Sequence, residues 1–252
     1  MTLRPASAGA ILLLAMLLLV SGAPLRAGAQ SEVEVVVYDP LERVNRRIFA
    51  FNEWLDHWVL EPSAIVWGGL FPHSFHVSLR SAVQNARTPL VLVSDVLQGK
   101  PMSAAVDLSR FLVNSTLGIG GLFDPATHFG LEGSDEDLGQ TFGVWGIPAG
   151  PYLVIPVLGA SGSRDIVGTI IEAVPQSVAL SWVVNLTVNT VDIVNRRTLL
   201  LETIREEREA AFDLYSAVRN AYVSQRRNQV ADEREAEAEE PDDLYYFEDE
   251  AD

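Results

Sequence analysis

From Leu41 to Trp58 the apolar residues Leu41, Val44, Ile48, Phe51, Leu55 and Trp58 fall at steps of 3, 4, 3, 4 and 3. That period predicts an α-helix of about five turns with one apolar face. Asp39 can cap it, Pro40 suits the first helical position, Glu42 sits where a capping-box acid would, and Pro62 ends it. A second stripe runs Asn45, Phe49, Asn52 and Asp56 along one flank. Two amides and a carboxylate in register either line a wet cavity or face solvent, and spacing alone does not separate the two.

The same alternation continues downstream. Ser78 to Gln98 predicts a helix interrupted near Pro89, with Gly99 as its stop. Pro101 opens another helix that runs to Gly118. Its apolar positions Ala104, Leu108, Phe111 and Leu112 share a face, and Ser103, Asp107, Arg110 and Asn114 form a polar stripe. Asp107 and Arg110 are placed to pair at i, i+3. Residues 118–150 hold nine glycines and predict irregular, turn-rich backbone. A short helix follows from near Ser163. Leu180–Asn195 is apolar and β-branched with Asn185, Asn189 and Asn195 interleaved, and its neighbours favour helix there. Thr198–Arg227 is helical by propensity, with Tyr215, Arg219, Tyr222 and Arg226 on one face, their rings packed and their polar tips in water. No convincing alternating strand appears, so the fold class is mostly α.

One segment breaks the pattern. DLGQTFGVWGIPAGPYLVIPVLG, Asp137–Gly159, opens a run of 26 residues, Leu138–Ser163, without formal charge. Its three prolines and repeated glycines exclude a regular membrane-spanning helix. It is either a buried loop or a belt at the level of lipid headgroups, with Trp145 and Tyr152 in the interfacial role.

The chain ends add a compartment. Arg4, the apolar run Ile11–Val20 and the small triplet Ala27-Gly28-Ala29 predict a cleaved signal peptide over residues 1–29, hence export. Ten apolar residues are too few for a span, which takes about 20. With no cysteine in the sequence, disulfides, thiol chemistry and acylation at an N-terminal Cys are excluded. Residues 30–37 form a short lead, 38–228 one helical domain, and 229–252 an acidic tail predicted to be disordered. Asp232–Asp252 alone carries 12 acids and one Arg. A net charge of −16 argues against nucleic acid and against simple docking on anionic headgroups.

Catalytic motifs fail one by one. Gly159-Ala160-Ser161-Gly162-Ser163 lacks the last Gly of a nucleophile elbow, and no phosphate loop precedes Gly99-Lys100. His73 and His76 lack nearby acids and are expected in a loop or at the surface. Asp135-Glu136-Asp137 is expected to be a solvated acidic turn. No enzyme, cofactor or metal is called for.

Several blocks together resemble the MlaA/VacJ family of outer-membrane phospholipid-transport proteins. They are DPLERVNRRIFAFNEWLD (Asp39–Asp56), VLQGKP (Val96–Pro101), DLSRFLVNSTLGIGGLFDPA (Asp107–Ala126), EDLGQTFGVWGIPAGPYLVIPVLG (Glu136–Gly159) and SRDIVG (Ser163–Gly168). The resemblance implies a single ring-like bundle of amphipathic helices in the inner leaflet of the outer membrane, on its periplasmic side. It implies association with a porin trimer. It also implies a pore that passes mislocalised phospholipid from the outer leaflet to a periplasmic lipid carrier, preserving lipid asymmetry. Many members carry a lipidated Cys after the signal peptide, and this chain does not. On that basis Asn45, Asn52, Asp56, Asp107, Arg110 and Asn114 are candidates for the lipid path. Phe142, Trp145, Ile147, Tyr152, Leu153, Ile155 and Leu158 are candidates for membrane contact. A polar network holding helices together is an equal reading of Asp107, Arg110 and Asn114. The competing functions are a porin-docking module without a pore and a periplasmic lipid hydrolase.

Overall fold

The computed structural model describes residues 37–179 and 182–231, with the backbone alone for 176–179 and 182. The signal peptide, most of the lead and the tail beyond residue 231 lie outside the described residues, while residues 229–231, expected in the disordered tail, are the last of a helix. The chain is mostly α, as expected: α1 Glu42–Leu55, α2 Glu61–Leu70, α3 His73–Gln98, α4 Pro101–Thr116, α5 Pro125–His128, α6 Leu138–Val144, α7 Ser163–Ala179, α8 Trp182–Leu199, α9 Leu201–Ala210 and α10 Leu214–Ala231. One two-stranded antiparallel hairpin, β1 Tyr152–Ile155 and β2 Gly159–Gly162, interrupts them.

The helices are inverted relative to a water-soluble protein. The largest fully buried side chains are all polar, among them Gln140, Asn45, Asn195, Asp95 and Asp192. Most of the Leu41–Trp58 apolar stripe faces outward instead: Val44, Phe51 and Trp58 are 51%, 45% and 65% exposed. On α4, Leu108 and Leu112 point out while Asp107 and Asn114 are buried. On α8, Val183, Val184 and Val188 point out while Asn185, Asn189, Asp192 and Asn195 are buried. Monomeric soluble proteins rarely expose apolar surface along several long helices at once, and apolar surface on this scale marks contact with lipid or protein. Among the described residues no helix is long and apolar enough to cross a membrane.

The prolines expected to end one helix and interrupt another are both absorbed. Pro62 stands in the first turn of α2, which continues α1 through a π-helical turn, Asp56–Leu60. There Glu61 N–H reaches back to Asp56 O, and this wider turn leaves room for the proline that lacks a donor. Pro89 lies inside α3, which runs unbroken for 26 residues. The α1 start also differs from expectation. Leu41 is its N-cap and offers no side-chain bond, because Asp39 is used elsewhere: it accepts from Asn45 Nδ2 at 2.8 Å and from the Tyr215 hydroxyl.

The hairpin was not legible as strands, yet it carries the main apolar core. Tyr152 and Val154 are buried with Tyr215, against Ile48, Phe49, Tyr222 and Val223. Two amides of α1 hold it. Asn45 donates to Tyr152 O at 3.1 Å and accepts from Val154 N–H at 3.0 Å, and Asn52 donates to Ile155 O at 3.0 Å and accepts from Val157 N–H at 2.7 Å. Their i, i+7 spacing matches the run from strand to turn, so one helix flank substitutes for a third strand.

Close packing elsewhere depends on glycine. A Cβ on Gly168 of α7 would stand 2.5 Å from the backbone N of Gly139 in α6. Gly121, with φ +90°, sits where a Cβ would overlap Asn85 of α3 at 2.4 Å. Both contacts press the irregular segment onto the long helices.

Candidate functional site

α3, α4, α7, α8, α10 and residues 133–137 line a half-open cavity of about 460 Å³. This lies in the usual range for ligand sites, roughly 300–1,000 Å³, but its wall is unusually polar. The reason is the inversion already described: the polar stripes of α3, α4 and α8 face inward, and the cavity is where they meet.

The six lipid-path candidates divide into two groups. Asp107, Arg110 and Asn114 line the cavity. They also form a network: Arg110 Nη2 meets Asp124 at 2.9 Å, Asn114 Nδ2 meets the other oxygen of Asp124 at 2.9 Å, and Arg110 donates to Leu131 O. Asp107 accepts from Ser134 Oγ at 2.6 Å, so neither partner makes the i, i+3 pair expected from spacing. Asn45, Asn52 and Asp56 lie away from the cavity wall. The first two hold the hairpin. Asp56 accepts from Arg197 at 2.9 and 3.0 Å and from Arg208 at 2.7 Å, beside Glu53 and Glu61.

The membrane-contact candidates divide as well. Trp145 and Ile147 are exposed, and Phe142, Leu153, Ile155 and Leu158 are half-buried. Tyr152 is 3% exposed and packs edge-on against Tyr215. Pairing in β1 turns its ring inward, which corrects the interfacial placement.

Three other expectations are also corrected. Asp135, Glu136 and Asp137 rim the cavity, and Glu136 is held by Lys100 at 2.8 Å and Gln98 at 2.7 Å, so the turn is not simply solvated. His76 is buried rather than superficial, its Nδ1 2.8 Å from Asn195 Oδ1. The polar tips of α10 face inward: Tyr222 donates to Asp165, and Arg226 reaches Asp137 at 2.6 Å.

Two carboxyls meet in the cavity wall. Ser134 Oγ lies 2.6 Å from Asp107 and 3.0 Å from Asp95. A hydroxyl has one proton, so one of these contacts needs a proton from a carboxyl. Burial, then the bond to Asp107, pushes the Asp95 carboxyl up to about 7. Burial likewise pushes Glu172 up to about 7, although it accepts from Leu138 N–H. Between about pH 4 and 7 the folded chain therefore holds protons that the unfolded chain has released, and stability declines as pH rises through that window. Asp95→Asn makes this decline shallower and raises the melting temperature at pH 8 above wild type. An unchanged slope in detergent melts from pH 4 to 8 would remove Asp95 as its source.

Sequence reasoning missed Arg80, Gln84, Arg87, Asn189, Arg196 and Gln225 of the wall. The signal existed: Arg80, Gln84 and Arg87 step by 4 and 3, and Asn185, Asn189, Asp192 and Arg196 by 4, 3 and 4. These repeat the polar stripe recognised on α4.

Comparison with known proteins places these features. The family model described as MlaA lipoprotein matches residues 37–229. An uncharacterised protein of Rickettsia typhi is 41% identical over 135 residues, 54% of each chain, so the chain matches about half of that relative's length. The intermembrane phospholipid transport system lipoprotein MlaA of Haemophilus influenzae is 30% identical over 82% of this chain and 85% of its own. A structure solved in work on the structural basis for maintenance of bacterial outer membrane lipid asymmetry superposes with a TM-score of 0.69. It is 29% identical and covers 76% of this chain and 98% of its own.

Proposed function

The chain belongs to the MlaA lipoprotein family, and on that premise we propose that it is the outer-membrane component of a phospholipid transport system. It takes mislocalised phospholipid from the outer leaflet and passes it to a periplasmic carrier, which preserves lipid asymmetry. The observation that carries this reading is the inversion of polarity around a cavity. A phospholipid has a charged head and apolar tails, so a conduit needs a polar interior and an exterior at ease among acyl chains. The chain has both, with buried Asp107 and Asn114 inside and Val44, Phe51 and Trp58 outside. Asp107, Arg110 and Asn114 belong to the headgroup path. Trp145 and Ile147 belong to the lipid-facing belt, and the remaining exposed apolar surface suits a porin trimer. No bond is broken in this activity. A docking module without a pore would not need the cavity.

Filling the cavity tests the proposal without breaking any of its ion pairs. Gln84→Trp and Thr88→Trp place indoles in the wall, at positions with no ion pair of their own. In cells whose own copy is deleted, wild type restores low surface labelling by a membrane-impermeant amine reagent. The Trp variants, present at equal levels in the outer-membrane fraction, leave labelling as high as in the deletion. Full restoration by both variants would sink the conduit.

A further inference from the structure

The charges around the cavity are sorted by side. On the wall made by α3 and α8, Arg87 and Arg196 converge on one buried carboxylate, Asp192, at 3.2 and 3.1 Å. Two helical turns away on α3, Arg80 also lines the cavity and, among the described residues, has no ion pair. A second part of the lining, from α7 and residues 133–137, is acidic. There Glu136 is neutralised by Lys100 and Asp137 by Arg226. Asp135 has no ion pair among the described residues, and Glu172 is held by the Leu138 amide rather than by a cation. The two walls are near enough for the charges of Asp135 and Glu172 to act on Arg87.

We propose that this sorted cavity is a cradle for a zwitterionic headgroup, with a phosphate diester against Arg80, Arg87 and Arg196 and a primary amine towards Asp135 and Glu172. The inference rests on the lipid-transport reading and adds a headgroup preference to it. Guanidinium groups bind phosphate oxygens through paired donors, which an ammonium does not supply as well. Burial, then the charge of Arg196, pulls the Arg87 guanidinium down to about 10. A phosphate there would relieve that strain. An anionic headgroup without an amine satisfies the basic wall, leaves Asp135 facing it unneutralised and keeps Glu172 protonated, whereas an amine lets Glu172 ionise. The cradle therefore selects by its acidic side as much as by its basic one.

The test uses the full chain in detergent, mixed with vesicles of equal phosphatidylethanolamine and phosphatidylglycerol, re-isolated, and its bound lipid extracted and counted. Wild type retains the ethanolamine lipid over the glycerol lipid by at least about threefold. Arg80→Glu lowers total retention about tenfold, the effect of losing one charged contact worth roughly 1.4 kcal/mol or more. Asp135→Lys keeps retention and reverses the preference. Neither residue has an ion pair among the described residues, so neither substitution breaks one. Equal retention of the two lipids by wild type, or an unchanged ratio in Asp135→Lys, would overturn the zwitterion cradle while leaving the conduit standing. No retained lipid at all would overturn the conduit itself. Free phosphoethanolamine that displaces bound lipid at equal concentration would reassign the site to a soluble phosphate ester.

Discussion

Asp56→Ala lowers the melting temperature of the detergent-solubilised protein by roughly 6–12 °C. Arg197 is the reason. Its side chain is 4% exposed, and Asp56 accepts from both its Nε and its Nη2. Arg208 shares the same carboxylate. Despite burial, these two arginines hold Asp56 below the ordinary carboxylate range. With Asp56 gone, the nearest remaining acid to Arg197 is Glu61 at 3.8 Å. Removing one partner of a buried pair costs about 3–5 kcal/mol, and the lower end applies here because Glu61 remains. At about 2–4 °C per kcal/mol for a chain of this size, that gives the stated shift. Arg197→Met in the same background recovers most of it, since the stranded charge is then removed. A single-mutant shift below 2 °C, together with raised outer-leaflet phospholipid, would return Asp56 to the lipid path.

Asn45→Leu has a comparable effect by another route. Leucine fills similar space but satisfies neither Val154 N–H nor Tyr152 O, and it releases Asp39. Each buried backbone group left unpaired costs about 1–3 kcal/mol. The expected loss is about 3 kcal/mol, concentrated in the hairpin. Amide exchange at Val154 accelerates about a hundredfold, while exchange in the middle of α3 changes far less. Unchanged exchange at Val154 would show that the hairpin does not depend on α1.

Those two residues show how far the sequence reaches. The stripe Asn45–Asn52–Asp56 was visible in the spacing, and so was the stripe on α4. Helical periodicity identifies a polar face and an apolar face, but not which of them meets the protein interior. That depends on the solvent, and here it is reversed, so the same pattern serves hairpin clamps, a buried ion network and a cavity wall. The resemblance to a transport family and the long helices were legible. The hairpin was not, because YLVI does not alternate in polarity and GASG has no strand propensity. Tyr152 went wrong with it. Pro62 reads as a helix end and Pro89 as an interruption because the effect of proline on a helix is local. The π-helical turn that accommodates Pro62 is fixed by contacts of Asp56 with α8 and α9, far away in sequence.

The reversed core also has a calorimetric consequence. The heat capacity of unfolding comes mainly from apolar surface newly exposed to water, while newly exposed polar surface lowers it. Apart from alanines, the buried apolar side chains among the described residues are Tyr152, Val154 and Tyr215, and the buried polar ones are many. Unfolding within detergent or lipid, which keeps the outward apolar side chains covered, therefore wets amides and carboxylates more than hydrocarbon. Its free energy curve against temperature is flatter than that of a soluble domain of equal length, with the cold limit pushed far below the temperatures at which the membrane is fluid.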